Sequence, residues 1–249
     1  LSTALARARQ LLDPSRLPDG IDDSRGYLDL LGPPETAASS TLWFMQNPVF
    51  ALVYERAWRP VFTRLFSLGG TSTKKFDTRL VAHLGRAGER TVLDVACGPG
   101  NYTRRLSERL TGEGLCIGLD FSIPMLTRAV ADNSGERVAY IRGDARRLPF
   151  DDNSIDTVCC LAALYLIPEP HEVIDELARV VAPGGEVAIF TSVHTPLTRS
   201  RVVTKIANVG GYHVFGRNEV TDRLRNAGLV DVEQTITGLA QYVTARKSD

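Results

Sequence analysis

From Thr91 onward the chain alternates short runs that are apolar throughout with amphipathic helices, and this rhythm constrains the fold more than any other feature. Residues 91–96, 115–120, 138–142, 155–162 and 186–192 read as strands. Strands that are apolar on both faces, rather than at every second residue, belong to a parallel sheet covered by helices on each side. The intervening helices are legible too. Tyr102, Leu106 and Leu110 mark one helix face, and Ser122 caps the next, with Pro124 in its first turn and Leu126, Ala129 and Val130 inward. Residues 171–181 place Val173, Ile174, Leu177, Val180 and Val181 on a third apolar face, which Pro183-Gly184-Gly185 ends. A helix over 219–227 precedes two further β-type runs, 229–236 and 239–245, close enough together to form an antiparallel pair. The expected fold is α/β, a doubly wound, seven-stranded, mostly parallel sheet with an antiparallel last strand.

Residues before 86 follow a different pattern. A helix is expected over residues 2–12, after which Pro14, Pro18, Gly20, Gly32, Pro33 and Pro34 break the chain into a turn-rich arm. Asn47-Pro48 reads as an N-cap with proline at the first helical position. Phe50, Tyr54, Ala57-Trp58, Val61-Phe62 and Leu65-Phe66 then recur at helical spacing up to Gly69-Gly70. A further helix is expected over 73–84. Two units follow from this change of pattern: a helical N-terminal extension or lid over residues 1–85 and a ligand-binding domain over residues 86–249.

Charge and cysteine usage exclude several function classes. Lys plus Arg and Asp plus Glu balance at 29 each, and Arg146-Arg147 and Lys74-Lys75 are pairs rather than runs, so no nucleic-acid partner is expected. No apolar run approaches the ~20 residues of a membrane span. The chain begins at Leu1, without a signal-type segment, and a cytoplasmic protein is expected. Cys97, Cys116, Cys159 and Cys160 lack the paired spacing of a zinc site and read as core thiols; no metal site is expected.

Ligands of open parallel sheets bind at the carboxyl ends of the strands, near the point where strand order reverses. The chemistry-bearing residues fall on those ends. Asp94 lies near the end of the first strand, before Ala96-Cys97-Gly98-Pro99-Gly100-Asn101; Asp120 ends the second, Asp144 follows the third, and Leu161-Ala162 follow the fourth. Each alone is an ordinary loop residue, but four in succession on one rim mark a ligand site. The loop does not carry the dinucleotide spacing G-x-G-x-x-G, because Asn101-Tyr102 stand where a third glycine belongs. Asp94 also puts negative charge where it would repel a pyrophosphate and attract an ammonium group.

These segments resemble the class I methyltransferases over about residues 91–245. Leu93-Asp94-Val95-Ala96-Cys97-Gly98-Pro99-Gly100-Asn101-Tyr102 is similar to the family's cofactor loop, and Gly118-Leu119-Asp120-Phe121-Ser122 with Met125-Leu126 to its second motif. Gly143-Asp144-Ala145-Arg146-Arg147-Leu148-Pro149-Phe150 resembles the G-D-A-x-x-L-P-F segment, and Ile155-Asp156-Thr157-Val158 the strand after it. Leu177-Ala178-Arg179-Val180-Val181-Ala182-Pro183-Gly184-Gly185 resembles the late L-x-R-V-L-x-P-G-G motif. The resemblance implies S-adenosyl-L-methionine as cofactor. It implies that Gly98 and Gly100 let backbone pack against the cofactor, with Asp94 near its amino-acid end and Ala96, Tyr102 and Leu161 lining the same site. Asp120 would hold the ribose hydroxyls, Phe121, Ser122 or Met125 would flank the adenine, and Asp144 and the Ala145 backbone would meet its edge. Ala96 departs from the glycine many members carry, which predicts a negative φ at that position.

Methyl transfer from a sulfonium is an in-line displacement that excludes water, and a hydroxyl acceptor needs a base as well. Tyr165, His194 and His213 are the candidate catalytic residues. Tyr165, in Leu161-Ala162-Ala163-Leu164-Tyr165, resembles the family's segment after strand four and suits positioning better than proton abstraction, since an unperturbed tyrosine has a pKa near 10. His194 follows strand five, and His213 sits in the segment before the last helix. His171, at the start of a helix, reads as a capping or surface residue. The acceptor expected is a small or lipid-like molecule methylated at oxygen or carbon. A partner-recruited nucleic-acid or protein methyltransferase, and a cofactor-binding regulator without catalysis, stay open. Tyr54-Glu55-Arg56-Ala57-Trp58-Arg59-Pro60 resembles an element of uncharacterised bacterial and plastid methyltransferases, which names no substrate.

The lid reading makes a prediction. Changing Tyr54 and Trp58 together to alanine should sharply reduce methyl transfer with the melting temperature nearly intact, because a lid excludes water rather than filling a core. Truncating large core aromatics would instead cost ~3–5 kcal/mol each, so a low-melting double mutant that turns over normally in the cold refutes the lid.

Overall fold

The computed structural model describes residues 3–33, 80–195 and 213–249. The aromatic stretch over residues 41–68, and with it the expected lid and most of the expected 73–84 helix, lies outside the described residues. Helix α1 (Thr3–Gln10) opens the chain and is followed by β1 (Leu28–Asp29). Then come β2 (Thr91–Val95), α2 (Asn101–Ser107), β3 (Leu115–Asp120), α3 (Ile123–Asn133), β4 (Val138–Arg142) and β5 (Ile155–Leu161). Helix α4 (Pro170–Val180), β6 (Val181–Ser192), α5 (Glu219–Asn226), β7 (Leu229–Thr237) and β8 (Ala240–Lys247) complete it.

The strands form one sheet in the order β1-β4-β3-β2-β5-β6-β8-β7. All seven strands expected from the sequence are present, and β1 adds an eighth at the edge. Pairing is parallel from β1 through β6; β8 runs antiparallel to β6, and β7 antiparallel to β8. Strand β6 begins at Val181 rather than at Glu186, because Val181 pairs with Ile155 before the chain slips register and Glu186 pairs with Thr157. The order reverses between β2 and β5, each parallel to the other and each leading to a helix on its own side.

Alternate side chains serve opposite faces of the sheet, which explains why the strands are apolar throughout. Leu93, Val95, Ile117, Leu119, Ile141, Val158, Cys160, Val187 and Ile189 face one way, packing with Ala4, Leu5 and Ala8 of α1, Val173, Ile174 and Leu177 of α4, and Val220 and Leu224 of α5. Val92, Cys116, Cys159 and Ala188 face the other way, with Leu80, Val81, Leu84 and Leu106. Beside them Cys97, Val138 and Tyr140 pack on Leu126 and Ala129 of α3 and on Tyr27. All four cysteines are buried and unpaired.

The N-terminal arm is tied to the sheet by a buried ion pair. Asp29 ends β1, where the Arg142 Nη1 atom donates to both of its carboxylate oxygens at 3.0 and 3.1 Å, and Arg25 adds a bond at 2.6 Å. Leu31 and Gly32 N–H groups also donate to Asp29 Oδ1, at 3.0 and 3.1 Å. The Arg142 guanidinium reaches the Phe121 carbonyl at 3.2 Å and lies 5.8 Å from the Phe121 ring centroid. Both Asp29 and Arg142 are 2% exposed, so neither charge has water to fall back on. Asp29→Ala should therefore cost about 3–5 kcal/mol in urea unfolding by stranding the Arg142 charge; a loss below about 1 kcal/mol would show that the pair is dispensable.

Candidate functional site

The carboxyl ends of β2, β3, β4 and β5 bring the expected residues onto one rim. The chain leaves β2 through three left-handed residues: Ala96 at φ 56, Gly98 at φ 57 and Gly100 at φ 80. The negative φ expected of Ala96 is overturned. The turn must bring the Cys97 N–H back to the Leu119 carbonyl of β3, at 3.0 Å, and alanine takes the left-handed conformation at a cost of order 1–3 kcal/mol. Ala162, at the end of the neighbouring β5, is also left-handed, at φ 62. These two left-handed alanines directly follow the two strands that flank the switch point.

The two loop glycines do different work. A Cβ at Gly100 would run into the Tyr140 hydroxyl, which is held by the Asn133 carbonyl at 2.9 Å. At Gly98 a Cβ would meet nothing within 4 Å. Its need for glycine comes from the backbone turn and from the open approach it leaves to a ligand.

Asp120 holds the loop in place. Its Oδ2 accepts from the Gly98 N–H at 2.8 Å and its Oδ1 from the Ser122 N–H at 2.8 Å. The carboxylate keeps lone-pair capacity beyond these two bonds. Burial raises the carboxyl above its ordinary range, against the pull of the Ser122, Gly98 and Phe121 N–H groups. Ser122 caps α3 by accepting from Met125 N at 3.4 Å, Met125 is buried, and Phe121 is half-buried under Arg142.

Asp94 lies deeper. It is 1% exposed, accepts from the Thr103 hydroxyl of α2 at 2.6 Å, and has the Cys159 thiol 3.8 Å away. Burial pushes its carboxyl up to about 7, and the neighbouring Asp120 adds to this against the Thr103 bond. Tyr102 is half-buried on the core beneath α2, and Leu161 ends β5 at 7% exposure.

Asp144 has partners that the sequence reading did not give it. Arg146 donates from Nε to both carboxylate oxygens at 3.1 Å and from Nη2 to Oδ2 at 2.7 Å, while its Nη1 reaches Glu169 at 2.6 Å. Partial burial works to raise the Asp144 pKa, but the Arg146 hydrogen bonds outweigh it and hold the carboxyl low. Ala145 is buried at 8% exposure.

Tyr165, His194 and His213 gather at the ends of β5 and β6. Tyr165 is 4% exposed on a 3-10 turn, Leu164–Leu166, and its carbonyl accepts from the His213 N–H at 2.9 Å. The half-buried His194 donates its N–H to the Phe215 carbonyl at 2.7 Å. The His213 ring is directed at Glu219, with Nε2 2.9 Å from Oε1, and the His171 Nε2 meets the same oxygen at 2.7 Å. Thr103 and Arg146 lie within ten residues of the aspartates they serve, so a helix-face or turn reading could have found them. Glu219 could not be found that way, since only the fold brings residues 171, 213 and 219 together.

Comparison with known proteins then decides the family. Residues 92–185 match the family described as a methyltransferase domain. The chain is 30% identical over 220 residues to an uncharacterized chloroplastic methyltransferase of Arabidopsis thaliana, covering 83% of this chain and 60% of that protein. Residues 92–185 thus form a methyltransferase domain on the class I fold. The chain is also 39% identical over 146 residues to the demethylmenaquinone methyltransferase of Shouchella clausii, covering 57% of this chain and 54% of that one. It thus spans less than two thirds of the length of these curated relatives. Among solved structures, phosphoethanolamine N-methyltransferase 2 of Haemonchus contortus, bound to phosphomonomethylethanolamine and S-adenosylhomocysteine, shares the fold. Its TM-score is 0.68 at 17% identity, covering 87% of this chain and 62% of that one.

The raised Asp94 pKa has a consequence for stability. The folded value near 7 stands above the unfolded value of 3.8, so the folded state holds the proton more tightly. Stability is then fully present below about pH 4, falls as pH rises, and reaches its lower plateau above about pH 7. At 1.36 kcal/mol per unit, the penalty is at most about 4 kcal/mol. Asp94→Asn should melt several degrees higher than the parent at pH 8 in the absence of ligand and match it near pH 4. A variant that melts lower at pH 8 would show that the ionised carboxylate is stabilising.

Proposed function

We propose that the protein is an S-adenosylmethionine-dependent methyltransferase acting on a small or lipid-like acceptor at oxygen or carbon. The Asp120 carboxylate carries this reading. It closes the β3 end with both oxygens anchored by backbone, and it retains acceptor capacity toward the ribose hydroxyls. The residues fit the cofactor in two further respects: Gly98 leaves open space beside the loop, and the buried Asp94 suits a cationic amino-acid end. An ammonium group near Asp94 would offset the penalty that burial imposes on its charge. Phe121, Ser122 and Met125 would line the adenine side, with Asp144, Ala145 and Leu161 completing it.

The bound cofactor would supply a methyl group made electrophilic by its sulfonium. The chain's own residues hold the loop, orient the acceptor and exclude water. The buried Tyr165 is suited to positioning the acceptor, and His194 to taking a proton from a hydroxyl. His213 stands on the same side, its imidazole oriented by Glu219. Relatives named for demethylmenaquinone methylation support a small-molecule acceptor over a macromolecular one. Labelled cofactor incubated with fractionated cell extract tests this directly: label in the organic phase is expected, whereas label in polymer, or in no fraction, overturns it.

Asp120→Ala removes two hydrogen bonds from a charged acceptor, each worth on the order of 1.5–3 kcal/mol. Calorimetric binding of S-adenosylhomocysteine should weaken at least tenfold while the far-ultraviolet dichroism is kept. Tighter binding of NADH than of S-adenosylhomocysteine by the parent protein would defeat the proposal.

A further inference from the structure

We propose that His171, His213 and Glu219 form a binding site for one divalent transition-metal ion of the zinc type. The three residues come from different parts of the chain: His171 from the first turn of α4, His213 from the segment before α5, and Glu219 from the first position of α5. Their ligand atoms all lie within 4.8 Å of one another. Both imidazole Nε2 atoms converge on Glu219 Oε1, at 2.7 and 2.9 Å, which places two nitrogens and one oxygen around a common point.

The site is built rather than incidental. Glu219 Oε2 is fixed by the Gly216 N–H at 2.6 Å, which aims the other oxygen at the two rings. The His213 backbone is held at both ends, its N–H by the Tyr165 carbonyl at 2.9 Å and its carbonyl by the Ser192 hydroxyl at 2.8 Å. The buried Phe215 ring stands edge-on to both imidazoles, with centroids 4.4 Å from His213 and 6.5 Å from His171. The imidazole planes cross at 82°. These contacts fix the free carboxylate oxygen of Glu219 and the His213 backbone beside it.

The donor set selects the ion. Two imidazoles and one carboxylate suit zinc and its transition-metal neighbours, whereas calcium and magnesium prefer oxygen alone. Tetrahedral ligands about 2.0–2.1 Å from zinc lie roughly 3.3 Å apart. The two nitrogen–oxygen separations would thus open by about half an ångström on loading. Moving each ring proton to Nδ1 frees the Nε2 lone pair for the metal. The side chains are 42%, 38% and 28% exposed for His171, His213 and Glu219, so an ion can enter and a fourth position is open to solvent. Loading would tie α4, α5 and the return of the chain at 213 together beside Tyr165.

Cobalt and zinc ions are the probes. Cobalt(II) should bind at one equivalent with d–d absorption and no thiolate charge-transfer band, and zinc should raise the melting temperature of the full chain. In His171→Ala, zinc affinity by calorimetry should fall at least tenfold and the thermal shift should disappear. His171→Gln keeps a hydrogen-bonding side chain beside Glu219 but removes the imidazole, and should lose the metal in the same way if the alanine variant misfolds by circular dichroism. A thiolate band, no saturable binding to the parent, or equal affinity in a folded His171 variant would overturn the site and leave a hydrogen-bonded clamp only. None of these readouts depends on methyl transfer.

Discussion

The Asp120 carboxylate is the junction on which the rim at the carboxyl ends of β2 and β3 depends. One oxygen holds the Gly98 N–H of the β2 loop, and the other holds the Ser122 N–H at the start of α3. Two loops from neighbouring strands are thereby set against each other by a single side chain that is 8% exposed. A buried carboxylate is costly unless its lone pairs are met, and here backbone donors meet them from both sides. The left-handed turn at Ala96 and Gly98 is what delivers one of those donors. Local backbone strain and the carboxylate's burial are thus parts of one arrangement, each making the other tolerable.

Two left-handed alanines, Ala96 and Ala162, directly follow β2 and β5, the strands between which the sheet order reverses. At such a point consecutive connections leave toward opposite faces, so a crevice opens between them.

The sheet's two edges are handled differently. At one end β1 pairs with β4, and the Asp29–Arg142 ion pair anchors it beside Phe121. The N-terminal arm therefore supports Phe121, next to Asp120 on the rim, through Arg142. At the other end β7 has no outer strand neighbour among the described residues, but it carries Asp231 and Glu233, slips register between Val230 and Glu233, and has a left-handed residue at Asp231. Charges and a bulge of this kind discourage pairing with a second molecule.

The sequence by itself determined the seven principal strands, the helix that opens the N-terminal arm, the helices after β2, β3 and β5 and before β7, and the positions of Asp94, Gly98, Gly100, Asp120 and Asp144 on one rim. Those features are local: an apolar run reports two covered faces, Ser122 reports a helix start, and a strand end fixes where its next residues stand. Tertiary structure decided the rest, because the determining contacts join residues far apart in the chain. Strand β1 is two residues long and exists only because β4 offers it a partner and Arg142 neutralises Asp29. The sign of φ at Ala96 follows from a bond to Leu119 on the next strand, which no propensity encodes. The height of the Asp94 pKa depends on how completely α2 and β5 close over it. The meeting of His171, His213 and Glu219 requires α4 and α5 to pack side by side, and no spacing along the chain announces it.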